Sequence, residues 1–171
     1  MLGRLELLRA DFPASEVIAL NEVKAVFNVS SYNEHVEARD RFEVMFRRLE
    51  VLRADFPTNE EIAQVEADAV FNIVQAACRA GVWDGVDAML GRLDNLRAAF
   101  PAAEEIALRE AQAAFNISNA AGGAGAWDRV DAMLARLRSI ADAFGEALFV
   151  GEQGGRRLTI GDLIARVQAM R

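Results

Sequence analysis

Leu8-Arg9-Ala10-Asp11-Phe12-Pro13, Leu52-Arg53-Ala54-Asp55-Phe56-Pro57 and Leu96-Arg97-Ala98-Ala99-Phe100-Pro101 are three copies of one hexapeptide, each 44 residues after the last. The same step superimposes Phe27-Asn28, Phe71-Asn72 and Phe115-Asn116, and it carries Met1 onto Met45, Met89 and Met133. Residues 45–88 and 89–132 are identical at 27 of 44 positions, far more than shared composition produces. A period of this length marks stacked supersecondary units, because one such unit cannot bury its apolar face alone.

Inside a unit the apolar spacing is helical. Val86, Leu90, Leu93, Leu96 and Phe100 step by 4, 3, 3 and 4, which predicts a helix from about Trp83 to Phe100. Pro101 ends it, since proline lacks the N–H and its ring clashes with the preceding turn. Each Phe-Pro is followed by an acidic first turn, Ser15-Glu16, Asn59-Glu60-Glu61 and Glu104-Glu105, where carboxylates offset the positive end of a new helix. Ile62, Ala69, Ile73, Ala76 and Ala80 form the stripe of that helix, and Ile106, Ala113, Ile117, Ala120 and Ala124 repeat it. Gly81 and Gly125 then supply a tight turn before Trp83 and Trp127. The unit is a pair of long antiparallel helices, and the fold class is all-α.

The period divides the chain into half a hairpin over 1–12, three units over 13–56, 57–100 and 101–144, and a tail over 145–171. The half hairpin carries an apolar stripe of Leu2, Leu5, Leu8 and Phe12 that needs cover. In the tail, Phe144-Gly145 replaces Phe-Pro, and Gly151, Gly154 and Gly155 break the first helix of a fourth unit. A short helix from Thr159 to about Met170, with Ile160, Leu163, Ile164 and Val167 on one face, is expected to fold back as a cap. The first hairpin tip diverges: Glu37 and Arg39 stand where the other units have the turn glycine and tryptophan.

The residues Asn116-Ile117-Ser118-Asn119-Ala120, Gly125-Ala126-Trp127-Asp128, Val130, Leu134 and Leu137 make the unit resemble the tetratricopeptide repeat, with Asn72-Ile73, Gly81-Val82-Trp83-Asp84, Val86, Leu90 and Leu93 matching in the second unit. The ordinary repeat of that family has 34 residues, so this unit looks like a lengthened variant. Ala77 and Ala121 replace its late aromatic. The resemblance implies an α-solenoid, a right-handed superhelix of helical hairpins whose groove, lined by the first helices, binds a peptide or partner helix. Carried over position by position, the groove residues are Lys24, Phe27, Ser31, Glu34 and His35, then Asp68, Phe71, Gln75, Cys78 and Arg79, then Gln112, Phe115, Asn119, Gly122 and Gly123. The basic clamp that some members use on a peptide carboxylate is mostly missing, with only Lys24 and Arg79 qualifying.

Composition narrows the function classes. Nineteen basic and 26 acidic side chains leave a net charge of −7, which opposes nucleic acid as a partner. No stretch approaches the ~20 apolar residues of a membrane span, charges interrupt the N-terminal residues, and a single cysteine, Cys78, suits a reducing compartment, so a cytoplasmic location is expected. His35 is the only histidine, and no phosphate loop, ligand cluster or activated nucleophile stands at usable spacing. No cofactor, metal or enzymatic activity is expected.

Phe27, Phe71 and Phe115 lie off the main stripe and face either the neighbouring unit or the groove, where aromatics make good anchors. Asn28, Asn72 and Asn116 beside them suit a hydrogen-bond ladder between hairpins or the holding of a ligand backbone. Trp83 and Trp127 are expected to seal hairpin ends, and the arginines at 4, 9, 48, 53, 92, 97 and 136 to form solvated ion pairs. The expected function is a protein–protein interaction scaffold; the competing one is a self-assembly element that oligomerises through its apolar ends.

Overall fold

The computed structural model describes residues 2–31, 38–153 and 156–170, with side chains described over 7–25, 46–152 and 157–170. Eight helices and one strand pair occur among them: α1 (Leu2–Asp11), α2 (Glu16–Ser31), α3 (Ala38–Asp55), α4 (Glu60–Ala80), α5 (Val86–Ala99), α6 (Glu104–Gly123), α7 (Trp127–Phe144), β1 (Phe149–Gln153), β2 (Arg156–Thr159) and α8 (Ile160–Gln168). They group into two compact units, Met1–Ala69 and Val70–Arg171.

The 44-residue step is written into the backbone. First helices open at Glu16, Glu60 and Glu104, and second helices close at Asp11, Asp55 and Ala99. Each junction is the same turn: the N–H of Phe12, Phe56 and Phe100 donates to the carbonyl of Leu8, Leu52 and Leu96 at 2.9, 3.0 and 2.9 Å. The N–H of Ser15, Asn59 and Ala103 then returns to the Phe carbonyl at 3.1 Å in all three. Proline fits between them because its position has no donor to satisfy. Gly81 and Gly125 take positive φ, 66° and 72°, as the tight turns require. Gly85, at φ 82°, delays α5 to Val86, three residues after the start that apolar spacing predicts.

Within the first unit, α2 packs on both α1 and α3. Lys24 meets Glu61 at 2.8 Å, and Asn59 donates to Glu16 at 3.1 Å, so α2 and the start of α4 lie side by side. In the second unit α6 packs on α5 and α7, and α5 and α7 are bridged by Arg136–Asp94 (2.5 Å), Arg129–Asp87 (3.1 Å) and Arg97–Ser139 (3.3 Å). Small and large apolar residues recur in the core: Ala19, Ala63 and Ala107 are fully buried, and so are Leu49, Leu93 and Leu137, each set 44 residues apart.

Among these small side chains sit three buried carboxylates, Glu22, Glu66 and Glu110, again 44 apart. Glu22 is held by Arg48 and lies 3.6 Å from Arg9, which also pairs with Asp55. Glu66 meets Arg53 at 3.4 Å. Glu110 accepts from Arg136 at 2.6 Å, while its other oxygen lies 3.3 Å from Arg97 without hydrogen-bond geometry. Arg9, Arg53 and Arg97 occupy one repeat position on the preceding second helix; Arg48 and Arg136 occupy another on the following one. These arginines are therefore not the solvated ion pairs expected from sequence. Their stems cross the layer so that the guanidinium meets a carboxylate with no exposure of its own.

Burial raises the Glu110 carboxyl above its ordinary value, and Arg97 and Arg136 pull back only part of that rise. For Arg136 burial pulls the other way, yet its bonds to Asp94 and Glu110 carry the guanidinium above its ordinary value. Both values move up, which disfavours the charged carboxyl and favours the charged guanidinium: the arginine retains 17% exposure and the glutamate none, so the desolvation cost falls on the acid.

The tail departs from the expected broken helix. β1 and β2 pair antiparallel, with a register irregularity between Phe149 and Gly151, and the latter adopts φ 143°. Gly145, at φ 85°, closes α7 where other units have proline. Thr159 then caps α8: Asp162 N–H donates to its hydroxyl at 3.3 Å, and Thr159 N–H donates to the Asp162 carboxylate at 2.9 Å. α8 packs against α6 and α7 through buried Ile160, Leu163 and Val167.

Glu110→Ala leaves two guanidiniums facing a void and is expected to cost about 3 kcal/mol in urea unfolding; Glu110→Gln keeps an acceptor, sheds the charge, and is expected to cost less than half of that. A raised folded value means that the native state takes up a proton, so the stability of the parent relative to Glu110→Gln should rise as pH falls from neutrality through the folded value towards 4.5. A stability difference that stays flat over that window would contradict the assignment.

Candidate functional site

The first helices of the second unit and its tail enclose an open cavity of about 430 Å³. The end of α4 contributes Phe71 and Gln75, and α6 contributes Gln112, Phe115 and Asn116. Val150, Gly151, Glu152 and Leu158 of the strand pair form a second wall, with Leu163 and Arg166 of α8 beside them. Phe71 and Phe115 hold the same repeat position on adjacent first helices, and both rings are half-buried. Arg109 lies over the Phe71 ring, 5.7 Å from its centre.

Gln112 fixes the strand wall. Its Nε2 donates to the Val150 carbonyl at 2.7 Å, and its Oε1 accepts from Arg109 at 3.0 Å. Both ends of this amide are engaged inside the chain. Gln75 and Asn116, also half-buried and on the cavity wall, have side-chain amides bonded to no described residue. The expected asparagine ladder is thus absent among the described residues: Asn72 is exposed, and Asn116 turns to the cavity.

Of the groove residues expected from sequence, the structure brings together Phe71, Gln75, Gln112 and Phe115. Arg79 and Asn119 are exposed and outside the cavity lining. In the first unit Lys24 is engaged with Glu61, and Asp68 is half-buried. Phe27 and Ser31 lie on α2 with side chains outside the described ones, and Glu34 and His35 lie outside the described residues. Val150, Leu158 and Leu163 were not among the expected groove residues: the first two lie on a strand pair that spacing alone does not reveal, and Leu163 lies on the expected short helix, α8.

Elsewhere, Trp83 is half-buried with Arg129 stacked 5.0 Å from its ring centre, and Trp127 keeps 42% exposure. Burial raises the thiol of Cys78 above its ordinary value against a smaller pull from Arg129, which keeps it protonated at neutral pH. No group of three or more His, Cys, Asp or Glu side chains among the described residues is placed to share a metal ion. No described helix is long and apolar enough to cross a membrane. Comparison with family models, with curated proteins and with solved structures returned no match, so the assignment of a function rests on this geometry.

Proposed function

We propose that the chain is a tetratricopeptide-like α-solenoid module that works in the cytoplasm as a protein–protein interaction scaffold, holding a segment of a partner on its first helices. The observation that carries this reading is the juxtaposition of Phe71 and Phe115, two half-buried rings in the same repeat position, on one open cavity with amides beside them. A wall of this kind, with apolar side chains beside an almost equal number of polar ones, can seat an apolar partner anchor and hold its polar neighbours.

A second reading, self-assembly, is favoured by a separate observation. Leu8 keeps 39% exposure although its repeat equivalents Leu52 and Leu96 have none, and Leu7 and Phe12 beside it are exposed at 70% and 58%. Contiguous apolar surface of this kind marks an association site.

The two readings separate on selection of a displayed peptide library against the immobilised full chain. Selected peptides are expected to lose at least tenfold in affinity on Phe71→Ala with Phe115→Ala, the helical circular dichroism being retained, and to ignore Leu8→Glu with Phe12→Glu. Selected peptides that ignore the phenylalanine changes would contradict the scaffold reading. A fall in molar mass by light scattering on Leu8→Glu with Phe12→Glu would establish the second.

A further inference from the structure

The outer side of α1 stands apart from the cavity and is incompletely covered. α3 packs on α2, and α7 packs on α6, in each case the first helix that precedes it. α1 is a second helix by its place in the repeat, and among the described residues it packs on the first helix that follows it, α2. Burial shows the difference. Leu8 is exposed, whereas Leu52, Leu96 and Ile140 at the same repeat position are fully buried; Phe12 is exposed, whereas its equivalent Phe56 is buried.

Resting on the reading of this exposed face as an association site, we infer that it docks an alanine-rich helix of a partner polypeptide carrying Ile-Ala-x-x-Glu followed by Ala or Val, with the glutamate paired to Arg4. The complement is read from the repeat. Ile18-Ala19-Leu20-Asn21-Glu22-Val23, Ile62-Ala63-Gln64-Val65-Glu66-Ala67 and Ile106-Ala107-Leu108-Arg109-Glu110-Ala111 are one motif on three first helices. Its alanine and its glutamate are buried in every copy. Arg48 bonds Glu22 and Arg136 bonds Glu110, each time the glutamate 26 residues before the arginine. Arg4 holds the repeat position of Arg48 and Arg136, one helical turn before Leu8 and so on the same face of α1. The carboxylate that completes this position is the one the docked helix brings. A second copy of the chain fits less well, because Glu22, Glu66 and Glu110 are each already engaged by arginine. A purely apolar helix would desolvate Arg4 without a countercharge, whereas a carboxylate there forms a charge-assisted bond.

The test is a titration of the full chain with a fluorescein-labelled, lactam-stabilised peptide spanning residues 102–124, which carries the motif, read by fluorescence anisotropy. Binding is expected, and Leu8→Glu in the chain should weaken it at least about tenfold with circular dichroism unchanged. Glu110→Lys in the peptide, and separately Arg4→Glu in the chain, should each weaken it by about tenfold, and the two together should recover most of that loss. Loss on Leu8→Glu without recovery by the exchanged charges would overturn the inference and leave the face an association site. Self-association that Leu8→Glu abolishes and the peptide does not compete with would overturn it in favour of a second copy. Neither peptide binding nor self-association would overturn the inference and the association site together.

Discussion

A carboxylate without solvent exposure is tolerated in a helical layer only if a cation reaches it. Three such carboxylates, Glu22, Glu66 and Glu110, recur at one position of the repeat, each among alanines that let neighbouring helices come close. Arginines on second helices supply the countercharge: Arg9 and Arg48 for Glu22, Arg53 for Glu66, Arg97 and Arg136 for Glu110. Alanine-rich faces slide past one another with little penalty, but a slip of one residue here would leave a buried charge unpaired, at a cost of several kcal/mol. The clasp therefore acts on register more than on net stability, which fits a Glu110 carboxyl whose burial outweighs the pull of its arginines.

Register in turn positions the candidate site. Phe71 and Phe115 hold the same repeat position on successive first helices and line one cavity. Arg136 ties the clasp to the second-helix layer through Asp94, and Arg129–Asp87 repeats that bond two turns away. On the other side, α6 carries Gln112 to the Val150 carbonyl, so the helix that holds Glu110 also sets the wall of the cavity. Core, layer and site share one element, α6, whose two faces serve the clasp and the cavity.

Much of this was legible in the residues. The Phe-Pro pairs and the acidic turns after them placed the helix boundaries, because proline and a helix dipole act locally. The clasp was not read, since charged residues are by default assigned to solvent. Its signal was nevertheless present: Glu66 falls four residues after Ile62 and four before Val70, on the buried stripe, and the same placement recurs in each unit. The strand pair was missed for a different reason. Gly151, Gly154 and Gly155 suit a broken helix by spacing, but Phe149-Val150 and Leu158 flanking a glycine-rich segment also describe a hairpin, and only packing against α6 and α8 decides between them. Four of the eleven lining residues lie on that hairpin, which is why the rings were foreseen and their enclosure was not.

The claim that the buried carboxylate joins consecutive hairpins is tested most directly by a double-mutant cycle on Glu110 and Arg97, which lie on α6 and the preceding α5. Urea unfolding of Glu110→Ala, Arg97→Ala and the double variant should give a coupling energy of at least about 1 kcal/mol. A coupling below about 0.3 kcal/mol, the level at which independent sites add, would contradict it.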